Sequence, residues 1–495
     1  MKTLLSTTSA AAIVFALAGC ATPTPEALKP TDVPAAFTAP QEQSAQVWPN
    51  QDWWKGFNSD ELNQIIATAQ TDNLDLADAM AQVLQAEANT EIAGSTLFPQ
   101  IDAEGTANRA GSKKIQTVGK NGKKRTVAGG TANSFGATLN ASYQLDLFGK
   151  ARSDLEAARE NLKSAQYAQE AVALTVVGDT ADTYFDVLAL RQRLAIAHQN
   201  LDAANRILTI TKAKVENGVS SNLDLAQQQA LVAGIQAEIP PLEEEEREAL
   251  YALAILLGKA PEGFDVKGQS IDGITILPVK PGIPSELLER RPDVSQALSN
   301  LAAAHANLNA SRAAFFPQIS LTGSGGYAST ALSTLFSSQA FAWSIGASIV
   351  QTIFDGGQLI GQNNLAYAEE LQLIADYRKA VLNAFSNTES ALGQVSSFAQ
   401  QTKSLQDEVN AAAEAFRISE LQYREGTVDL LNVLQAQQTL FSAQDELVQA
   451  KLAYLQAEVS LYNALGGGWT EAQNPDTTPT VGKHPDNYIL PILPF

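Results

Sequence analysis

The chain is 495 residues long, enough for several domains or for one large repeated one. Hydrophobic residues make up 45% of it, too many for a disordered chain. The formal net charge of -20 excludes a nucleic-acid partner, whose phosphates require a basic footprint, and suits a protein with a large solvated surface.

The first element is a leader. Lys2 supplies a positive start, Ala10 to Ala18 is a short apolar run, and Leu17-Ala18-Gly19-Cys20 closes it. Such a run is a signal-peptide core and too short for a membrane span. The closing tetrapeptide resembles the bacterial lipoprotein signal, with residues 1–19 removed and Cys20 acylated. Cys20 is the only cysteine, so it has no internal disulfide partner. An ordinary signal peptide with a chance cysteine is the other reading. No later stretch reaches the roughly 18 consecutive apolar residues of a spanning helix, so any later span must be a β-barrel.

After a segment at 20–72, the chain states one order of elements twice. The first repeat takes 73–258. It opens with a helix from Asn73 to Thr96 that Phe98-Pro99-Gln100 ends, because proline disfavours continuation. A β-hairpin follows at 100–148. Leu139, Ala141, Tyr143, Leu145 and Leu147 alternate with Asn140, Ser142, Gln144 and Asp146, and the weaker partner strand lies near Ile101–Ala110. Such alternation puts one face in an apolar medium, either lipid or a sandwich core. Between the strands, Ser112 to Gly130 reads as an extra loop. It carries Lys113, Lys114, Lys120, Lys123, Lys124 and Arg125.

A helical hairpin at 149–258 completes the repeat. Ala151 to Asn217 contains no proline and predicts a helix of about 100 Å. A turn at Gly218 and a returning helix to Leu257 follow. Pro240-Pro241 predicts a kink in the returning helix, and Glu243–Glu246 reads as a solvated face rather than a metal site.

A connector at 259–290 leads to the second repeat at 291–466. Its helix runs from Pro292 to Phe315, its β-hairpin spans 317–354 and its helical hairpin 357–466. Phe341, Trp343, Ile345, Ala347 and Ile349 alternate with small or polar residues, opposite a strand near Ile319–Tyr327. Gln358 to Glu425 again lacks proline, and Gly426 marks the turn. A tail occupies 467–495. Phe98-Pro99-Gln100 recurs at 316–318, and Leu223-Asp224-Leu225 recurs as Leu431-Asn432-Val433, so the halves are duplicated.

Four strands cannot close a barrel, and an open sheet in lipid leaves unpaired edges. The barrel must be shared between protomers. Two chains would give eight strands and three would give twelve; the long helices, as staves of a wide tube, favour three.

The order of elements, the stretch Pro284-Ser285-Glu286-Leu287-Leu288-Glu289-Arg290-Arg291-Pro292-Asp293-Val294, Phe354-Asp355-Gly356-Gly357 and Asn463-Ala464-Leu465-Gly466-Gly467-Gly468-Trp469 resemble the outer-membrane factor family. These are the exit ducts of tripartite efflux and export machines, and the chain is most similar to their lipoprotein branch in resistance-nodulation-division drug efflux. The resemblance covers residues 20–495. It implies a homotrimer in outer-membrane lipid, with a shared 12-stranded barrel and an α-helical periplasmic tunnel. An equatorial belt would be built from the connector and tail. A periplasmic adaptor and an inner-membrane pump are the implied partners, and no cofactor is expected.

Two sets of positions carry over. Adaptor docking falls on Gly218-Val219-Ser220 and Gly426-Thr427-Val428, whose glycines also serve simply to turn the chain. The periplasmic aperture falls on Asp224 and Gln227, with Asn432 and Gln435 standing where relatives often place aspartates. Asp224 also fits a first-turn aspartate beside the turn. The basic loop would face outside the cell, either toward anionic lipopolysaccharide or as a solvated loop.

No catalytic signature appears. His198, His305 and His484 are scattered and lack metal-ligand spacing. Export of drugs or other small toxic molecules is the expected role. Ducts for secreted proteins or metal ions, and a periplasmic coiled-coil scaffold, are the alternatives.

Overall fold

A computed structural model describes residues 33–39 except 35, and 46–469 except 114, 119–123, 128, 276–278, 281 and 283. The leader, Cys20 and the tail beyond 469 lie outside the described residues. So do Lys114, Lys120 and Lys123.

The chain enters through a two-residue strand β1 (Gln46–Val47), parallel to β6 (Val279–Lys280) of the connector. A 3-10 turn at Trp53–Phe57 precedes helix α1 (Asp60–Asp72). Ser59 caps α1 by accepting from the Leu62 N–H, and Leu62, Ile65, Ile66 and Ala69 form its buried stripe. Helix α2 (Leu74–Ser95) starts at Asn73, whose Oδ1 accepts from the N–H groups of Asp75 and Leu76.

Four strands form one antiparallel sheet in the order β2 (Gln100–Gly111), β5 (Thr131–Leu145), β7 (Gln318–Ser329), β8 (Phe341–Val350). The pairing of β5 with β7 joins the two repeats. Its rows sort by chemistry. Ile345, Gly323, Ala141 and Ile101 share one row, and Trp343, Gly325, Leu139 and Ala103 another. The intervening rows carry Ser344, Ser324, Asn140 and Asp102, or Ser348, Ser320 and Gln144. Ser320 and Ser348 hydrogen-bond at 2.7 Å, and Ser324 and Ser344 at 2.9 Å, on that polar face. The apolar face is bare: Ile345 is 81% exposed and Trp343 69%. A sandwich core would have covered it. Both sheet edges, β2 and β8, are unpaired within the described chain.

The stretch read as a loop is in part a ladder. Strand β3 (Ile115–Val118) pairs antiparallel with β4 (Lys124–Val127). β-Branched residues on both sides favour pairing, and Asn121-Gly122 in the sequence between them is a hairpin-turn signal.

Each β-hairpin leads into a long helix through the same junction. Helix α3 (Lys150–Glu216) follows Gly149 at φ 82°, and α7 (Gln358–Glu425) follows Gly357 at φ 93°. Asp146 accepts from the backbone of Ala151 and Arg152, and Asp355 from that of Gly357 and Leu359. At about 1.5 Å per residue, the 67 residues of α3 and 68 of α7 each reach about 100 Å. The returning helices are α4 (Asn222–Leu256) and α8 (Leu430–Ala464). Helix α4 runs unbroken through Pro240 and Pro241, where the sequence alone predicts a kink. A four-residue turn, α5 (Pro284–Leu287), leads to α6 (Pro292–Ala313). Helix α3 packs on α2, α4, α6 and α8, and α7 on α6 and α8.

The main core lies mid-length on the long helices, where Trp53, Phe57 and Leu62 meet Phe185, Leu188, Leu257, Leu461 and Tyr462. Trp53 stacks on Tyr462 with ring centres 4.6 Å apart. Arg191 ties the connector to this belt. Its guanidinium donates to the Val266 and Gly268 carbonyls at 2.6 and 2.7 Å and pairs with Asp265 and with Glu246 at 2.7 Å. The acidic run is thus only partly a solvated face: Glu243, Glu244 and Glu245 are exposed, while Glu246 is drawn in by Arg191.

Candidate functional site: the helical tips

At the end of the helical hairpins farthest from the sheet, both long helices stop at a glycine. Gly218 has φ 72° and Gly426 φ 78°, a left-handed conformation open to glycine without strain. The residue after each glycine donates five positions back, Val219 to the Lys214 carbonyl at 2.8 Å and Thr427 to that of Gln422 at 2.9 Å. These bonds satisfy carbonyls that the helix ends would leave orphaned. The turns lie open: Val219 is 71% exposed, Thr427 is exposed, and Ser220 and Val428 are half-buried.

The two tips differ just beyond the turn. Ser221 caps α4 and accepts from the Asp224 N–H at 3.1 Å, while Asp224 Oδ2 accepts from the Ser221 N–H at 3.0 Å and the Ser220 hydroxyl at 2.6 Å. This reciprocal capping box places Asp224 as a first-turn aspartate. The Ser220 hydroxyl and then the Ser221 N–H hold its carboxyl below the usual range. At the second tip Asp429 precedes α8 without a side-chain cap bond. Asp224 is half-buried, and Gln227, Asn432 and Gln435 are exposed.

The tips are clamped by residues the sequence reading did not single out. Lys214 Nζ donates to the Tyr423 carbonyl at 2.5 Å and lies 4.4 Å from the centre of its ring. The Tyr423 hydroxyl and Thr211 Oγ1 are 3.0 Å apart in a buried contact. Tyr423 also joins Ile207, Phe416, Leu430 and Val433 in a small core. The cation, the hydroxyl bond and the apolar ring fasten the end of α3 to the end of α7. No local sequence signal marks the pair, because the two sides are 209 residues apart.

Farther along α3, Asp179, Asp182 and Asp186 recur on one helix face. Asp186 accepts from Gln456 at 2.9 Å. Burial first, then the charges of Asp186 and Asp179, push the Asp182 carboxyl up to about 8. Among the described residues no group of three His, Cys, Asp or Glu is placed to hold a metal ion, and no helix is long and apolar enough to cross a membrane.

A sheet with one bare apolar face and two open edges, continued into helical hairpins about 100 Å long, defines a class: a barrel-and-tunnel duct assembled from several chains. The model of the outer membrane efflux protein family matches residues 65–259 and 283–467, and the chain belongs to that family. The pyoverdine export outer membrane protein OpmQ of Pseudomonas putida is 36% identical over 93% of this chain and 97% of its own length. The cation efflux system protein CusC of Escherichia coli is 30% identical over 92% of this chain and 98% of its own. The solved outer-membrane channel OprN superposes with a TM-score of 0.79 at 29% identity, covering 89% of this chain and 98% of that one. The protein is therefore an outer-membrane channel of a tripartite efflux pump. It forms a homotrimer, working with a periplasmic adaptor and an inner-membrane pump. Three four-stranded sheets close one barrel of 12 strands, and the helices form the periplasmic tunnel.

Proposed function

We propose that the channel is a passive exit duct for small organic molecules and performs no catalysis. Cys20 carries the lipid anchor. The adaptor docks on Gly218-Val219-Ser220 and Gly426-Thr427-Val428, and Asp224, Gln227, Asn432 and Gln435 line the periplasmic aperture. The observation that carries this reading is the pair of open glycine turns, which leave Val219 exposed at the first tip and Thr427 at the second. In the trimer Asp224 supplies three carboxylates, and Asn432 and Gln435 add only neutral amides. Carboxylate rings favour cations, so this mixed ring gives a weak cation preference. That favours organic cargo, as in the relative named for pyoverdine export, over metal ions, as in the relative named for cation efflux.

The docking half is tested by Val219→Cys, cross-linked in living cells. Capture of a periplasmic adaptor supports it, and a folded, surface-accessible trimer that captures none refutes it. The aperture half is tested by Asp224→Ala in planar bilayers, where cation preference should fall. An unchanged preference and conductance would remove Asp224 from the aperture. For the cargo, deletion of the channel should sensitise cells to organic dyes and antibiotics. Loss of metal-ion tolerance alone would overturn the organic assignment.

A further inference from the structure

The two halves of the chain repeat each other contact by contact. Equivalent positions lie 218 apart before the loop of the first β-hairpin and 208 apart after it. The strand pair Gln100↔Ser142 recurs in this way as Gln318↔Val350. Asn73 donates to the Leu256 carbonyl that ends α4, and Arg291 to the Ala464 carbonyl that ends α8. Gly258 lies against the Asp72 carbonyl as Gly466 does against that of Arg290.

Within the chain, the halves meet along one face of α3. Ala157, Ser164, Ala171 and Gly178 recur there every seven residues, and α6 and α8 lie over them end to end. Ser164 Oγ donates to Asn300 Oδ1 of α6 at 2.7 Å. Toward the belt, Asn463 of α8 lies against Gly178, and Gln456 donates to Asp186 at 2.9 Å. Helix α7 has the same face, uncovered within the described chain: the counterparts Leu365, Gln372, Lys379 and Ser386 are all exposed. The facing surface is bare too. Ser299, Ala303, Ala306 and Ala310 of α6 are buried, while their counterparts Ala81, Gln85, Ala88 and Ile92 on α2 are exposed.

Charge shows what these two faces fit. Asp293 of α6 pairs with Arg291 of its own chain at 2.6 Å. Its counterpart Asp75 has the neutral Asn73 where that arginine stands. Asp75 shares an open groove with Asp78 and Asp179, and none of the described residues lining it is a lysine or arginine. Burial, then the charge of Asp75, raise the Asp179 carboxyl above its ordinary value. In the matching groove of the second repeat, Ala171 of α3 stands beside Asp293. The α7 counterpart of Ala171 is Lys379.

We propose that the seam between protomers is built from these two bare faces, with Lys379 of one chain entering the groove of the partner's Asp75, the partner's Asp78 and the partner's Asp179. The antiparallel order of the helices fixes the remaining contacts. Gln372 meets the partner's Gln82, as Ser164 meets Asn300 within the chain. Leu365 packs against the partner's Ile92, bulkier than the in-chain Ala157 and Ala310, so the helix axes at the seam stand farther apart. Ser386 lies against the partner's Ile255, and Gln394 donates to the partner's Glu248, the amide and carboxylate having changed sides relative to Gln456 and Asp186. The cation that Arg291 supplies within one repeat thus comes to the other from a neighbouring chain, and the acidic groove is complete only in the trimer.

The test uses full-length protein in outer membranes. Asp75→Cys combined with Lys379→Cys, treated with a short thiol cross-linker, should give covalent dimers and trimers on a denaturing gel, and either change alone should give none. In detergent, Lys379→Met should speed trimer dissociation about tenfold, and only about threefold in chains that already carry Asp75→Asn. Trimers that stay unlinked with both cysteines reactive, or an equal effect of Lys379→Met in both backgrounds, would overturn the seam and leave the trimer itself standing. Should the Asp75 and Lys379 variants fail to assemble, Gln394→Cys with Glu248→Cys decides in their place. Linkage between chains supports the seam, and its absence from a folded trimer refutes it.

Discussion

The two helical tips have the same turn and different first steps beyond it. Gly218 and Gly426 share their left-handed conformation and the same five-back hydrogen bond. Only the first tip then closes a capping box, through Ser221 and Asp224, and Asp429 of the second makes no cap bond. Duplication has kept the backbone geometry that a coiled hairpin cannot do without. The side chains beside the turn were left free to diverge, and those are the positions we propose for the aperture and the adaptor contact.

The sharpest way to break the comparison lies at the opposite end of the same hairpins, where Gly258 and Gly466 are repeat equivalents. Both have positive φ, at 63° and 84°. A Cβ on Gly466 would overlap the Arg290 carbonyl oxygen, and one on Gly258 that of Asp72. Around Gly218 and Gly426 there is open space. Gly466→Ala and Gly258→Ala should therefore abolish or severely lower trimer yield. Gly218→Ala and Gly426→Ala should cost only the left-handed penalty, about 1–2 kcal/mol. Thermal dissociation of the trimer ranks all four, and equal losses would show that the turns are alike in packing as well as in conformation.

Next in size is Arg191→Met. It strands Glu246 and two carbonyls in the belt and should cost about 3–5 kcal/mol. The second repeat has no matching hub among the described residues, so substitutions on α7 should not reproduce the loss.

Asp182 gives a pH effect of definite sign. Its folded value of about 8 lies above the unfolded value near 3.9, so the folded protein holds a proton that the unfolded chain releases. Stability should fall as pH rises from about 4 to about 8. Asp182→Asn should flatten that slope and raise the melting temperature at pH 8 more than at pH 5. An unchanged pH profile would show that the carboxyl is ionised in the assembled trimer.

The smallest effect returns to the tips. Ser221→Ala should cost about 1 kcal/mol by opening the capping box, and Asp429→Ala much less. Asp224 adds the opposite pH sign. Its value is held low in the fold, so its contribution is present above about 4 and lost as pH falls through the folded value. Amide exchange in the first turn of each returning helix measures both.

The elements written in strong local terms were readable in the sequence. Phe-Pro-Gln stops two helices, the alternation at 341–349 announces a two-faced strand, and proline-free runs give helices of 67 and 68 residues. Helix α1 is also marked locally, by Ser59 and the spacing of Leu62, Ile65, Ile66 and Ala69. In sequence the β3–β4 ladder reads as a loop, because its lysines mask the β-branched pattern beneath. Within the candidate site the glycines were legible because they punctuate the chain. The Lys214–Tyr423 clamp was not, since a contact between distant halves leaves no mark on either one's neighbours.

The open edges of β2 and β8 carry a genetic consequence. Every barrel needs six sound edges drawn from three separate translation products, and one bad edge spoils the ring. In a cell making equal amounts of normal protein and an edge-defective copy, only roughly one barrel in eight escapes the defect by random mixing. A damaged allele of this protein should behave as dominant, with severity set by expression ratio rather than by how much function the damaged copy retains.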